Sequence, residues 1–135
     1  MLESEIETEE QVYEAALALG QEGAEAFWTG GDNVLEKAMD KYVAAAAFYK
    51  IPVFTNNPEY AFTGAMVNLC ANYFNVGQNA GELVLSLTEW LHAGDTELKN
   101  DNSEQLFLNL SNLNQMKENW VVSQELLDRA DTVLY

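Results

Sequence analysis

Apolar residues recur along most of this chain at helical spacing. Val12, Ala15, Ala16, Leu19, Gly23 and Phe27 share one stripe, and Thr8 with Gln11 three residues on forms a capping-box start. A first helix is therefore expected from Glu9 to Trp28, broken by Gly30-Gly31. Asp32 or Asn33 caps a second helix carrying Leu35, Ala38, Met39, Tyr42, Ala45, Ala46 and Tyr49, and Ile51-Pro52 ends it. Asn57-Pro58-Glu59 combines a cap, a proline at the first helical position and an acid facing the helix dipole. It predicts a third helix from Pro58 to about Val76, with Phe62, Met66, Leu69, Tyr73 and Val76 on a broad apolar arc that Val67, Cys70 and Phe74 flank. Opposite that arc, Asn68, Asn72, Asn75 and Asn79 fall within roughly 60° and form one polar ladder.

A fourth helix, from about Ala80 to His92, carries Leu83, Val84, Leu87, Trp90 and Leu91, and Gly94-Asp95 stops it. After a polar loop over Asp95 to Asn102, Ser103 caps a fifth helix (Leu106, Phe107, Leu110, Leu113). A turn at Lys117 to Asn119 leads into a sixth (Trp120, Val121, Gln124, Leu127, Ala130, Leu134). Only short runs such as Val53-Phe54 read as strands. The expected fold is all-α, about six helices in three antiparallel hairpins, with an acidic tail at 1–8 before a single helical domain over 9–135.

Charge sharpens this picture. The net charge is -16, and residues 1–36 hold ten acids (Glu3, Glu5, Glu7, Glu9, Glu10, Glu14, Glu22, Glu25, Asp32, Glu36) but no Lys or Arg. Such a segment repels phosphate and anionic lipid and draws in a basic partner. Direct nucleic-acid and membrane binding are not expected. No run approaches the roughly 18 apolar residues of a membrane span, and the first residues lack the basic start of a signal peptide. One cysteine, Cys70, allows no intrachain disulfide. The expected location is the cytoplasm.

The side chains that carry catalysis are scarce. His92 is the only histidine, so no multi-histidine metal site forms, and its place near a helix end suits contact with terminal carbonyls. Cys70 lies in an apolar arc, where a thiol serves packing. Gly30-Gly31 is followed by no Lys-Ser or Lys-Thr, so no phosphate loop is present. Asp95-Thr96-Glu97 and Asp101-Asn102-Ser103-Glu104 are too short for a calcium loop. Neither enzyme activity, nor a cofactor, nor a metal is expected.

The segment Gly23-Ala24-Glu25-Ala26-Phe27-Trp28-Thr29-Gly30-Gly31-Asp32, followed by Ala38, Tyr42 and Ala45, resembles a tetratricopeptide repeat. Asn68-Leu69-Cys70-Ala71-Asn72-Tyr73 with Gly77, and Asn109-Leu110-Ser111-Asn112-Leu113 with Ser123, Leu127 and Ala130, echo it. The turn glycines Gly31 and Gly77 are spaced more widely than the family period of about 34 residues, and an unrelated helical bundle accounts for the same hairpins. A second resemblance, over Asp32 to Asn75, is to the small helical head-to-tail connector proteins of tailed phages. The repeat resemblance implies a protein-interaction module, an adaptor or chaperone-like protein with a basic protein partner. Its expected contact surfaces are Asn68, Asn72, Asn75 and Asn79 and the acidic Glu3, Glu5, Glu7, Glu9 and Glu10. The alternatives are an acidic inhibitor, of immunity or anti-defence type, mimicking nucleic-acid charge, and a virion connector protein.

Overall fold

Gly23 stops the first helix before it reaches Phe27. In the computed structural model, which describes residues 1–89, 92–95 and 103–135, α1 (Gln11–Gln21) closes with Gly23 at φ 95, and Ala24 N donates back to Leu19 O. Half of the expected capping box forms: the Gln11 side chain accepts from Thr8 N at 3.2 Å. Phe27–Thr29 then runs as a strand, β1, alternating buried, exposed and buried. Phe27 lies four residues after Gly23, which is why a helical stripe includes it.

The second expected helix forms in two pieces, α2 (Asn33–Lys37) and α3 (Met39–Tyr49), parted at Ala38. Asp32 is its cap, accepting from Val34 N and Leu35 N. Lys50, at φ 57, and Ile51-Pro52 end it. Beyond this point helical periodicity misleads. Val53–Thr55 is β2, and Pro58 opens only a 3₁₀ turn, Pro58–Ala61. Gly64, at φ 109, reverses the chain into β3 (Val67–Ala71), and α4 (Tyr73–Glu89) follows. After a 3₁₀ turn at Ala93–Asp95, the expected fifth helix is instead β4 (Glu104–Asn109). The expected sixth shortens to α5 (Gln124–Arg129), capped by Ser123 Oγ on Leu126 N, with β5 (Thr132–Leu134) after it. Apart from Asp95, the expected loop over 95–102 lies outside the described residues, as do Trp90 and Leu91; just beyond it, Asn72 N donates to Ser103 O.

The all-α expectation, as repeat array or as bundle, is thereby overturned. The chain is α/β, built on one five-stranded sheet in the order β1-β2-β3-β4-β5. β1, β2 and β3 run parallel, β4 runs antiparallel to β3, and β5 runs parallel to β4. Parallel neighbours need a crossover, which α2 and α3 provide between β1 and β2. Helices α1 and α3 lie together over one face: Val12 and Ala16 join Tyr42, Ala45, Ala46, Phe27 and Val53 in the main core, and Ile6 of the acidic segment packs against it. The Phe27 and Tyr42 rings stack at 5.1 Å. Tyr42 donates to Trp28 O at 3.3 Å, and burial pushes its phenol up to about 12. In contrast α4 is mostly exposed, with Leu83, Val84 and Leu85 open to solvent.

Contact between α1 and α3 depends on Gly20. A Cβ there would collide with the ring of Tyr49. Gly20→Ala should therefore lower stability by about 1–3 kcal/mol through overpacking, against an intrinsic helix gain of up to about 1 kcal/mol. Urea denaturation of the two proteins checks it, and a more stable variant would contradict this packing.

Candidate functional site

Three strand ends meet at one edge of the sheet. The chain leaves β1 at Gly30-Gly31-Asp32, β2 at Asn56-Asn57-Pro58 and β3 at Asn72-Tyr73. In open α/β sheets, the space beyond the carboxyl ends of parallel strands is where ligands bind. A cleft of about 460 Å³ lies here, lined by Gly31, Glu36, Asn56, Asn57, Pro58, Glu59 and Tyr73. Its size is within the range of small-molecule sites, roughly 300–1,000 Å³.

Each of the three loops is held by a short polar side chain that bonds its own backbone. Asp32 Oδ1 takes Val34 N and Leu35 N at 2.9 and 2.8 Å. Asn57 Oδ1 takes Glu59 N at 3.0 Å, while Thr55 Oγ1 accepts from Asn57 N at 3.2 Å. Asn72 Oδ1 takes Asn75 N at 3.1 Å. Beneath the loops, strand register sets Thr29, Thr55 and Asn68 side by side across the sheet, and all three are buried. Asn68 Nδ2 donates to Ala65 O at 3.1 Å, but its Oδ1 has no partner. The rim is more open: Glu36 and Glu59 are exposed, and Tyr73 is 72% exposed.

The asparagine ladder does not exist as a helical face. Asn68 lies on β3 and Asn72 at the strand-to-helix junction, and only Asn75 and Asn79 lie on α4. None of the four lines the cleft, although Asn72 shapes its wall. Glu3, Glu5, Glu7 and Glu10 are exposed at the start of the chain, Glu9 pairs with Lys37 at 3.7 Å, and none of these reaches the cleft either. Cys70 is buried, with its thiol donating to Gln105 O at 3.4 Å, and burial followed by the nearby Asp131 pushes that thiol up. Among the described residues no group of three or more His, Cys, Asp or Glu gathers to hold a metal.

A sequence signal for the cleft was present. Phe27-Trp28-Thr29-Gly30-Gly31-Asp32 and Val53-Phe54-Thr55-Asn56-Asn57-Pro58 share one form: two apolar residues and a Thr, then a short loop that ends in a capping Asp32 or Asn57. That is the grammar of a strand followed by a helix start in a parallel sheet.

Solved structures share the architecture. A ligand-free, open substrate binding protein with adhesive properties from Clostridium difficile superposes with a TM-score of 0.79 at 20% identity, covering 98% of this chain and 43% of that one. A conserved domain protein of Vibrio cholerae gives 0.73 at 21% identity, over 98% and 44%. An ABC domain from Streptococcus pneumonia in complex with L-Trp gives 0.70 at 12% identity, over 96% and 44%. The chain spans less than half the length of each. No curated protein sequence matches it. The sequence profile of the ABC transporter substrate binding proteins, however, matches residues 3–134. That match overturns both resemblances drawn from helical spacing, the tetratricopeptide array and the phage connector. The adaptor, charge-mimic and virion readings, and the basic protein partner, fall with them. With its α/β sheet and a match over nearly its whole length, this chain belongs to the ABC transporter substrate binding protein family.

Proposed function

We propose that the cleft beyond β1, β2 and β3 holds a small organic solute for a membrane ABC transporter, by binding alone. The observation that carries this reading is the cleft itself: three loops, each fixed by its own side-chain cap, face a space of small-molecule size. Pre-set polar groups around a concave site lose little entropy when a ligand arrives. The lining offers amides, two carboxylates and one aromatic ring, and no nucleophile beside a base. Capture of L-Trp by the pneumococcal neighbour makes an amino acid a sensible first probe. On this reading the protein works at the outer face of the cytoplasmic membrane, where a fold with one buried thiol needs no disulfide.

The test uses a variant that fills the cleft without disturbing the fold. At Gly31 an added Cβ would meet only Glu36 Oε1, at 3.9 Å, an ordinary contact. Gly31→Leu should melt like the parent protein. In calorimetric titrations with L-tryptophan and a panel of other amino acids and small amines, a solute that binds the parent should bind the variant at least about tenfold more weakly. Equal binding by both proteins would remove the cleft as the site.

A further inference from the structure

We propose that Asn68 is a positioning residue of the cleft: one bound water joins its Oδ1 to the Thr55 hydroxyl and so braces the β2 loop from below. The relay does not depend on what the cleft holds, and its test needs no solute.

Among the described residues the buried polar side chains are Thr29, Thr55 and Asn68, and strand register sets all three in one row across β1, β2 and β3. Thr29 and Thr55 are the last residues of their strands. Thr29 Oγ1 donates to Gly30 O at 3.0 Å and Thr55 Oγ1 accepts from Asn57 N at 3.2 Å, so each holds a cleft loop by its backbone. Asn68 touches neither loop directly.

A hydroxyl carries one proton and two lone pairs. Thr29 gives its proton to Gly30 O, whereas Thr55 offers a lone pair to Asn57 N and its proton meets no acceptor among the described residues. Asn68 is the complement. Its Nδ2 donates to Ala65 O, and its Oδ1 receives nothing. One unused donor and one unused acceptor therefore stand on register partners, on the same face of the sheet.

Buried polar atoms are seldom left unpaired. The two oxygens fall short of a direct bond, while neighbouring strands lie about 4.8 Å apart, close to the roughly 5.5 Å that two hydrogen bonds through one water span. A water there accepts from Thr55 and donates to Asn68, which gives it the two polar partners an internal water needs. The Tyr60 hydroxyl, the other buried oxygen without a bond, responds to the Asn57 side chain at the loop rather than to Asn68. One neutral water brings no compensating charge to a carboxylate at position 68.

The consequence reaches the cleft in two steps. With its proton directed at the water, the Thr55 side chain keeps the rotamer that aims its lone pair at Asn57 N, and Asn57 Oδ1 in turn takes Glu59 N. Both Asn57 and Glu59 line the cleft.

Amide hydrogen exchange of the full chain, followed by NMR, tests the relay. Asn68→Leu, of similar shape, should speed exchange at Asn57 about fivefold relative to the amides of α3, the loss expected for one hydrogen bond. Thr55→Val should speed it at least as much, and adding Asn68→Leu to Thr55→Val should change Asn57 no further, because the relay is already cut. Thr55→Ser, which keeps the hydroxyl, should keep the response to Asn68→Leu. In the parent protein a long-lived water should show nuclear Overhauser contacts to the Thr55 methyl and the Asn68 side-chain amide, and Thr55→Val should lose that water; this readout decides the matter if Asn68→Leu does not fold. An unchanged Asn57 amide in folded Asn68→Leu, an equal further effect of Asn68→Leu in the Thr55→Val background, or no such water in the parent protein overturns the relay.

Discussion

Asn68→Asp is expected to cost about 3–5 kcal/mol of folding stability at neutral pH. Asn68 is fully buried, its Nδ2 donates to the Ala65 carbonyl, and its Oδ1 has no partner. An ionised Asp would set a negative charge against that carbonyl, with no donor bonded to the Oδ1 position among the described residues. The buried carboxyl will avoid this by keeping its proton, so its folded pKa rises above the ordinary value of about 4. The sign of the pH dependence follows. Between the unfolded and the folded pKa the native state holds more protons, so the variant loses about 1.4 kcal/mol per pH unit relative to the parent protein. Below about pH 4 the protonated acid can donate to Ala65 O and most of the loss should disappear. Urea unfolding of both proteins at acidic and neutral pH reads the difference directly, and a gap that stays constant with pH would contradict a buried, unpaired Asn68.

The second large effect discriminates between strand and helix. Leu108 is fully buried in β4, opposite Val67 on one side and Val133 on the other. Leu108→Ala should cost about 3–5 kcal/mol, the loss of a buried side chain plus the cavity left behind. Leu110, just past the strand and only half-buried, should cost under about 2 kcal/mol on the same change. A helix over this segment makes the opposite prediction, because its apolar stripe is Leu106, Phe107, Leu110 and Leu113 and leaves Leu108 off. The two denaturation midpoints therefore decide the element as well as the residue.

That segment shows how the sequence misleads. Leu106, Phe107 and Leu108 are consecutive and all buried, as in a strand covered on both faces, where alternation vanishes. A continuous apolar run fits a helix stripe equally well once residues three and four positions on are counted. Flanking polar residues at Asn102-Ser103 and Asn109, and the shortness of the run, were the available arbiters. Where termination chemistry was strong, the reading held: Asp32 caps its helix, and Ile51-Pro52 closes the next. Asn57-Pro58-Glu59 also starts a helical turn, but only a 3₁₀ one, since Gly64 redirects the chain.

For the cleft, two of the loop caps were legible and the site was not. Asp32, Asn57 and Asn72 were each read as cap or ladder, and all three do shape the site's loops. Parallel pairing brings together segments from residues 30, 57 and 72; the pattern shared by residues 27–32 and 53–58 marks two of these strand ends but not which strands pair. The acidic start of the chain drew attention by number alone, whereas the two carboxylates at the cleft, Glu36 and Glu59, sit in ordinary surroundings of sequence.

The exposure of α4 has a dynamic consequence. A helix of 17 residues is near the length at which isolated helices are marginal in water, and along most of its length water is its principal neighbour. Its far turns draw little from the core, so their amides open without the rest of the molecule unfolding, while β3 and β4 open only with it. Tyr73 joins these two regimes, its backbone beginning α4 and its side chain lining the cleft at the end of β3.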